Sequence, residues 1–163
     1  MNDNTKKKLV PAYQTMMARI EDAKKSASHN SLQQHIDAAI ETAIKLNELS
    51  HVEAERIGYY LRRDLQDAAT FIVDTEKALV DWINFDIELI ENRLLEMFSI
   101  MVDQTQLELN NLQERARQAT QWNSGEITAL GVLYCDNCNH ALHFQKPDFI
   151  PACPNCGATS FHR

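Results

Sequence analysis

The chain has 163 residues, of which 44% are hydrophobic and 24% are charged, and its formal net charge is −7. This length allows one ordinary core or two small ones. The acidic balance argues against nonspecific nucleic-acid binding, which depends on lysines and arginines that neutralise phosphates. We see no secretory signal and no apolar run long enough to span a membrane, so we expect a cytoplasmic protein.

Turn-forming residues are concentrated near the carboxy-terminal end. The chain has only four glycines and four prolines, and two of the glycines and three of the prolines lie beyond residue 130. This asymmetry predicts a helical body over residues 1–120, a linker over residues 121–126 and a small turn-rich module over residues 127–163.

Apolar residues recur at helical spacing throughout the predicted body, in four stripes over residues 9–27, 32–46, 57–72 and 80–101. The steps of the fourth stripe alternate between three and four residues, the period of a coiled-coil seam. Its members are Val80, Ile83, Ile87, Ile90, Leu94, Met97 and Met101. The pattern predicts a mainly α fold, an antiparallel helical hairpin or bundle with coiled-coil-like packing.

Helix start signals predict where the body turns. Ser31 with Gln34, and Ser50 with Glu53, have the spacing of capping boxes, in which the serine oxygen accepts from an amide three residues on. Asp103 followed by Gln106 suggests a further helix start, leading into a helix through Leu109, Leu112, Ala116 and Ala119.

The body carries no recognisable catalytic pattern. Its histidines are scattered, it has no glycine-rich phosphate loop, and most of its acids lie off the apolar stripes. Arg62, Arg63 and Asp64 form a charged triplet for which we expect only local ion pairs. Residues 74–108 contain nine acids and two bases, so this stretch alone has a net charge of −7. We therefore predict no catalytic residues and no small-molecule cofactor site.

The four cysteines form two Cys-x-x-Cys pairs, Cys135 with Cys138 and Cys153 with Cys156. Two intervening residues let one tight turn direct both sulfurs at one ion. Asn139 and Gly157 follow the two pairs and tolerate the left-handed backbone that such a turn needs. In a reducing compartment this pattern predicts metal ligands, with one structural zinc ion per chain.

Short strands around the cysteines complete a zinc-ribbon pattern, over residues 127–134, 141–145 and 159–162. Iron is the main alternative to zinc, because Cys-Pro-x-Cys-Gly also occurs in rubredoxin knuckles. A thioredoxin-like redox pair is a weaker alternative, because the sequence shows no βαβ pattern around the cysteines. Four cysteines close a tetrahedral site, so His140, His143 and His162 are interpreted as surface or packing residues. Residues 125–163 have a net charge of −1, which disfavours nucleic acid as a partner of the ribbon.

The sequence resembles the YbeL-like family of uncharacterised bacterial proteins, in which a helical region precedes a carboxy-terminal zinc ribbon. The resemblance rests on these segments and residues: 61–65, 105–108, 124–126, Leu130-Gly131, the four cysteines and Phe161. It implies the architecture and zinc binding, and it supplies no catalytic residues.

The combined interpretation is a non-enzymatic zinc-ribbon protein that binds a protein partner or itself through the acidic body. The alternative is a nucleic-acid or transcription-associated protein that acts through the ribbon. We expect the body and the ribbon to be separable in stability, because only the ribbon depends on its ion. We also expect the off-seam residues Leu95 and Phe98 to belong to the association surface. No membrane contact and no small-molecule substrate are indicated.

Overall fold

The computed structural model describes residues 3–26, 30–111 and 121–163. Helices and a short 3-10 turn fill the first two ranges: α1 (Asp3–Lys25), α2 (Leu32–Lys45), α3 (His51–Thr75), α4 (Leu79–Ile83), the 3-10 turn (Ile87–Leu89) and α5 (Asn92–Asn111). None of these helices combines the length and the apolar character that crossing a membrane requires. The mainly α body predicted from the stripes is confirmed.

Helices α1, α2, α3 and α5 pack around one apolar core. Helices α2 and α3 are antiparallel. Gly58 of α3 lies against Ile40 of α2. Arg62, one turn further along α3, bonds Asp37, which lies one turn earlier in α2. A Cβ at Gly58 would lie only 2.5 Å from Ile40 Cδ1. Glycine at this position therefore permits the close approach of the two helices.

The capping serines begin α2 and α3 as the sequence predicts. The Ser31 side chain accepts from the Gln34 amide, Ser50 accepts from the Glu53 amide, and the Gln34 and Glu53 side chains accept in return from the serine amides. Ala27, Leu112, Ala116 and Ala119 lie outside the described residues.

The predicted fourth helix is not continuous, so its apolar residues do not form one coiled-coil seam. Helix α4 ends at Asn84, whose φ is +59°, and Asp86 then caps the 3-10 turn before α5 begins. Asparagine adopts the left-handed backbone at little cost. The Asn84 side-chain amide donates to the Tyr134 hydroxyl of the ribbon at 2.7 Å. The predicted start at Asp103 is also wrong, because α5 continues through it.

Breaking the helix redistributes the apolar side chains of this segment. Trp82 of α4 folds back and stacks on Phe98 of α5, with ring centroids 5.6 Å apart. Phe98 is fully buried and Leu95 is half-buried in the bundle core, so Phe98 cannot belong to a free association surface. Val80, Ile87 and Leu89 are instead the exposed apolar residues.

The carboxy-terminal module contains six short strands: β1 (Trp122–Asn123), β2 (Ile127–Thr128), β3 (Gly131–Cys135), β4 (Ala141–Phe144), β5 (Asp148–Phe149) and β6 (Ser160–His162). Four strands form an antiparallel sheet in the order β1-β6-β3-β4, and β2 pairs with β5 in a separate ladder. The predicted small β region is confirmed.

The predicted linker over residues 121–126 is part of the folded module. Trp122 and Asn123 pair with Phe161 and Ser160 of β6. The following residues Ile127, Ala129 and Leu130 are fully buried and belong to the same core as the helices. Hydrophobic burial draws this predicted linker into the sheet and then against the bundle. The separate stability of body and ribbon stays a prediction.

We predict that Phe98→Glu destabilises the bundle, because it removes a fully buried ring and places a charge in the core. The free energy of unfolding should fall by about 4 kcal/mol or more, as measured by urea denaturation followed by helical circular dichroism. Leu107→Glu is the matched control, since Leu107 lies on the same helix and is 60% exposed. Equal stability of the two variants would contradict the packing described for α5.

Candidate metal centre

The four cysteine thiols converge on one point between the two knuckles. Their sulfur atoms all lie within 4.8 Å of one another, and both the Cys135–Cys156 and Cys138–Cys153 pairs of Sγ atoms are separated by 3.6 Å. Thiolates bound to zinc at about 2.3 Å in a tetrahedron lie about 3.8 Å apart. None of the four is in a disulfide. This donor set fits one tetrahedral zinc ion, with all four predicted residues brought together.

Two matching turns hold the thiols. Asn139 has a φ of +58° and its N–H donates to the Cys135 carbonyl at 2.8 Å. Gly157 has a φ of +76° and its N–H donates to the Cys153 carbonyl, also at 2.8 Å. The left-handed positions that the sequence predicts are therefore the residues that close each turn.

Two asparagines that sequence reasoning missed support the thiols. The side chain of Asn137 bonds Cys156 and, with the Ala158 amide, lowers the pKa of that thiol to about 6. The side chain of Asn155 bonds Cys138 and lowers its pKa as well. Each asparagine thus reaches across to a sulfur of the other knuckle. The signal was present, because both pairs read Cys-x-Asn-Cys.

The thiol of Cys135 has the opposite tendency. Burial raises its pKa to about 11, although the backbone amides of Cys138 and Asn137 oppose the shift. A buried thiol becomes a stable thiolate when a cation supplies the missing charge compensation. The burial of Cys135 is consistent with a closed metal site and not with an exposed reactive thiol.

The three histidines of the ribbon lie outside the thiol cluster. His162 bonds Asp136 at 2.6 Å and stacks on Tyr134, while His143 packs edge-on against Phe85 of the body. Among the described residues, the cysteines form the one group of cysteine, histidine and acidic side chains close enough to hold an ion. A site closed by four sulfurs leaves no coordination position for a substrate.

A buried carboxylate joins this ribbon to the helices. Asp64 on α3 is fully buried, and its two oxygens accept from four donors. Oδ1 accepts from the Trp122 indole at 2.8 Å and from Arg63 at 3.2 Å, while Oδ2 accepts from the Ala129 amide at 2.7 Å and from Tyr13 at 3.2 Å. Such saturation is what a buried charge needs in order to be stable. The triplet makes local ion pairs, Arg62 with Asp37 and Arg63 with Asp64. Arg63 and Asp64 in addition bond the ribbon, which the sequence did not predict.

Two arginines flank the Trp122 ring at the same junction. Arg63 lies 5.1 Å from the ring centroid and Arg163 lies 5.2 Å from it. Arg63 also donates to the Ile127 carbonyl, and Arg163 donates to the Leu130 carbonyl. Each guanidinium therefore combines cation–π stacking with bonds to ribbon backbone.

The glycine of the Leu130-Gly131 pair has a physical reason at this position. Gly131 has a φ of +119°, and a Cβ there would lie 2.4 Å from Arg163 Nη1. Another residue would strain the backbone and displace the guanidinium. The glycine thus belongs to the junction and not to the metal site.

The fold and the thiol cluster together define a helical protein that ends in a four-cysteine zinc ribbon. The chain belongs to the family described as zinc-ribbon containing domain (DUF1451), whose model matches residues 19–163. It is 27% identical over 160 residues to "Uncharacterized protein YbeL" of Escherichia coli K12, with 96% of each chain covered. Proteins of the same name from the O6:H1 and O157:H7 strains match equally. No solved structure matches. The predicted family is confirmed.

We predict that purified chain contains about one equivalent of zinc, because the four thiols complete one tetrahedral shell. Elemental analysis of protein from unsupplemented cells measures this. Asn137→Ala and Asn155→Ala should each weaken zinc binding about tenfold or more in competition with a chromophoric chelator. Asn123→Ala, on an exposed position of β1, is the control. An iron-containing red preparation, or unchanged affinity in both variants, would contradict the assignment.

We predict that Asp64→Asn loosens the junction without affecting the thiols. The amide offers a donor where the carboxylate accepted, so at least one of the four buried donors loses its acceptor. The free energy of unfolding should fall by about 3 kcal/mol. Asp103→Asn, an exposed acid on α5, should change it by less than about 0.5 kcal/mol. Urea denaturation measures the effect, and the zinc content should stay unchanged in both variants.

Proposed function

We propose that the chain is a non-enzymatic binding protein whose acidic helical body recognises another protein. In this proposal zinc keeps the ribbon folded and the ribbon completes the shape of the body. A reducing cytoplasmic environment is part of the proposal, because it keeps four free thiols available for metal. The family assignment supports the zinc-ribbon architecture, and the interaction role is our inference from the surface.

The observation that carries the proposal is a set of exposed apolar side chains within the acidic stretch. Val80 is 44% exposed, Ile87 is 36% exposed and Leu89 is 57% exposed. They lie within ten residues of one another, around the helix break after Ile83. Isolated exposed apolar residues are common, whereas several in one segment are typical of a binding surface.

The charges around these side chains favour one kind of partner. Asp81, Asp86, Glu88 and Glu91 alternate with the exposed apolar residues, within a stretch whose net charge is −7. Complementary charge at the rim of an interface steers association and excludes like-charged surfaces. A basic protein partner satisfies this condition better than a second copy of the chain or a nucleic acid does.

The metal site supports a non-enzymatic role. Four cysteine sulfurs fill a tetrahedral zinc shell, whereas catalytic zinc sites keep one position open. The ion would act by holding the two knuckles together, which a module of about forty residues needs in order to fold.

The test is affinity purification of the tagged chain compared with a surface variant. Ile87→Glu combined with Leu89→Glu should reduce recovery of specific partners at least about tenfold, because charged side chains at interface centres remove most of the binding energy. Leu46→Glu combined with Val52→Glu is the control, since these residues are 60% and 63% exposed elsewhere on the body. Quantitative mass spectrometry measures recovery.

Light scattering on a size-exclusion column completes the test. If the wild type is a dimer and the Ile87 and Leu89 substitutions convert it to a monomer, the partner is a second copy of the chain. Equal recovery from all three proteins, together with a monomeric wild type, would contradict the proposal.

A further inference from the structure

A cleft opens where the ribbon meets the helical body. Its walls are the carboxy-terminal half of α3, the short helix α4 and strand β3 of the ribbon, and its volume is about 680 Å³. Volumes of this size accommodate peptide side chains or small ligands. Because β3 forms one wall, the cleft exists only when the ribbon is docked on the helices.

The lining combines aromatic rings with carboxylates. The rings are Phe71, Trp82, Phe85 and Tyr134, and the carboxylates are Asp67, Asp74 and Asp81. The face of an aromatic ring attracts cations, and carboxylates do so more strongly. An anionic ligand would meet repulsion from three acids, with Lys77 and Arg163 as the bases of the lining.

The chain itself places a guanidinium against this lining. Arg163 lies over the Trp82 ring, 4.0 Å from its centroid, and its Nε is 3.9 Å from Oδ2 of Asp67. The Trp82 indole donates to the same carboxylate at 2.7 Å. An aromatic face next to a carboxylate is thus already arranged here to hold an arginine side chain. This intramolecular contact identifies the ligand chemistry independently of the net charge.

We propose that this cleft binds an arginine-bearing segment of a protein partner. An incoming guanidinium would lie beside Arg163, against the rings of Phe71, Phe85 and Tyr134. It would pair with the exposed carboxylates of Asp74 and Asp81. The proposal deepens the proposed function, since it names the part of the surface that reads the partner and the side chain that it reads. The exposed Val80 at the cleft would contact the apolar part of the same segment.

The test measures binding of a short synthetic peptide by the full-length chain. The probe is a fluorescein-labelled serine peptide that carries two arginines, and fluorescence anisotropy at physiological salt reports binding. A peptide with citrulline in place of arginine keeps the shape and removes the charge. We expect the arginine peptide to bind and the citrulline peptide to bind at least about tenfold more weakly.

Matched variants locate the binding. Asp74→Asn combined with Asp81→Asn should weaken binding of the arginine peptide about tenfold, because two charge pairs are lost. An asparagine at position 81 can still accept from the Ala78 amide that Asp81 caps. Glu96→Gln combined with Asp103→Asn removes the same charge from exposed positions on α5 and should leave affinity unchanged within about twofold.

A variant without a charge change separates a site from general attraction. Thr70→Phe fills the cleft and should weaken the peptide about tenfold as well, and it carries the comparison if the double aspartate variant fails to fold. No binding by the wild type, or equal loss in the α5 control, would overturn the proposal. A chain that ignores the peptide but captures a partner through Ile87 and Leu89 keeps the proposed function and loses only the cleft. If the chain binds the peptide but captures no protein, the cleft assignment stands and the proposed function is lost.

Discussion

The arrangement of the two modules depends on the hydrogen bonds that the buried carboxylate of Asp64 accepts. It accepts from a helix side chain on α1, a neighbouring arginine on α3, an indole on β1 and a backbone amide between β2 and β3. Burial and the nearby carboxylate raise the pKa of Tyr13 well above its usual value, so its hydroxyl remains a donor. A charge with no exposure to water is tolerated only when every lone pair is used. The position of the ribbon is therefore specified by hydrogen-bond geometry as well as by apolar burial.

Apolar packing alone would leave this position less sharply defined. Ile127, Ala129 and Leu130 bury against the helices, but hydrophobic contact is non-directional and tolerates small shifts. The Trp122 ring contacts both Arg63 and Arg163, and its indole donates to Asp64, so directional contacts help to define its orientation. We infer that these polar groups specify the docked position of the ribbon, a role distinct from a large contribution to stability. Of these groups, Arg163 also lines the cleft.

The parts of the fold that follow from local chemistry were predictable. Ser31 and Ser50 cap helices because the capping box involves residues three apart, and Cys135 to Cys156 form a ribbon because two tight turns fix the thiols. The break at Asn84 was missed because an apolar period continued across it, although asparagine and aspartate flank the turn. The role of Asp64 was not readable, since its partners are 51 to 65 residues away along the chain apart from Arg63. Asn137 and Asn155 were readable from their repeated position and were overlooked.

The connection between the metal site and the helical surface runs along two strands. Strand β3 ends at Cys135 of the thiol cluster, and its residues Val132 and Tyr134 form part of the cleft. Strand β6 follows the second knuckle, pairs with β3 at Cys135 and leads directly to Arg163. An ion bound by the knuckles would thus also fix the register of β3 and β6. It would thereby fix the positions of the Tyr134 ring and the Arg163 guanidinium at the cleft. In this way a zinc ion at the knuckles would help to determine the shape of the surface that we propose to bind a partner.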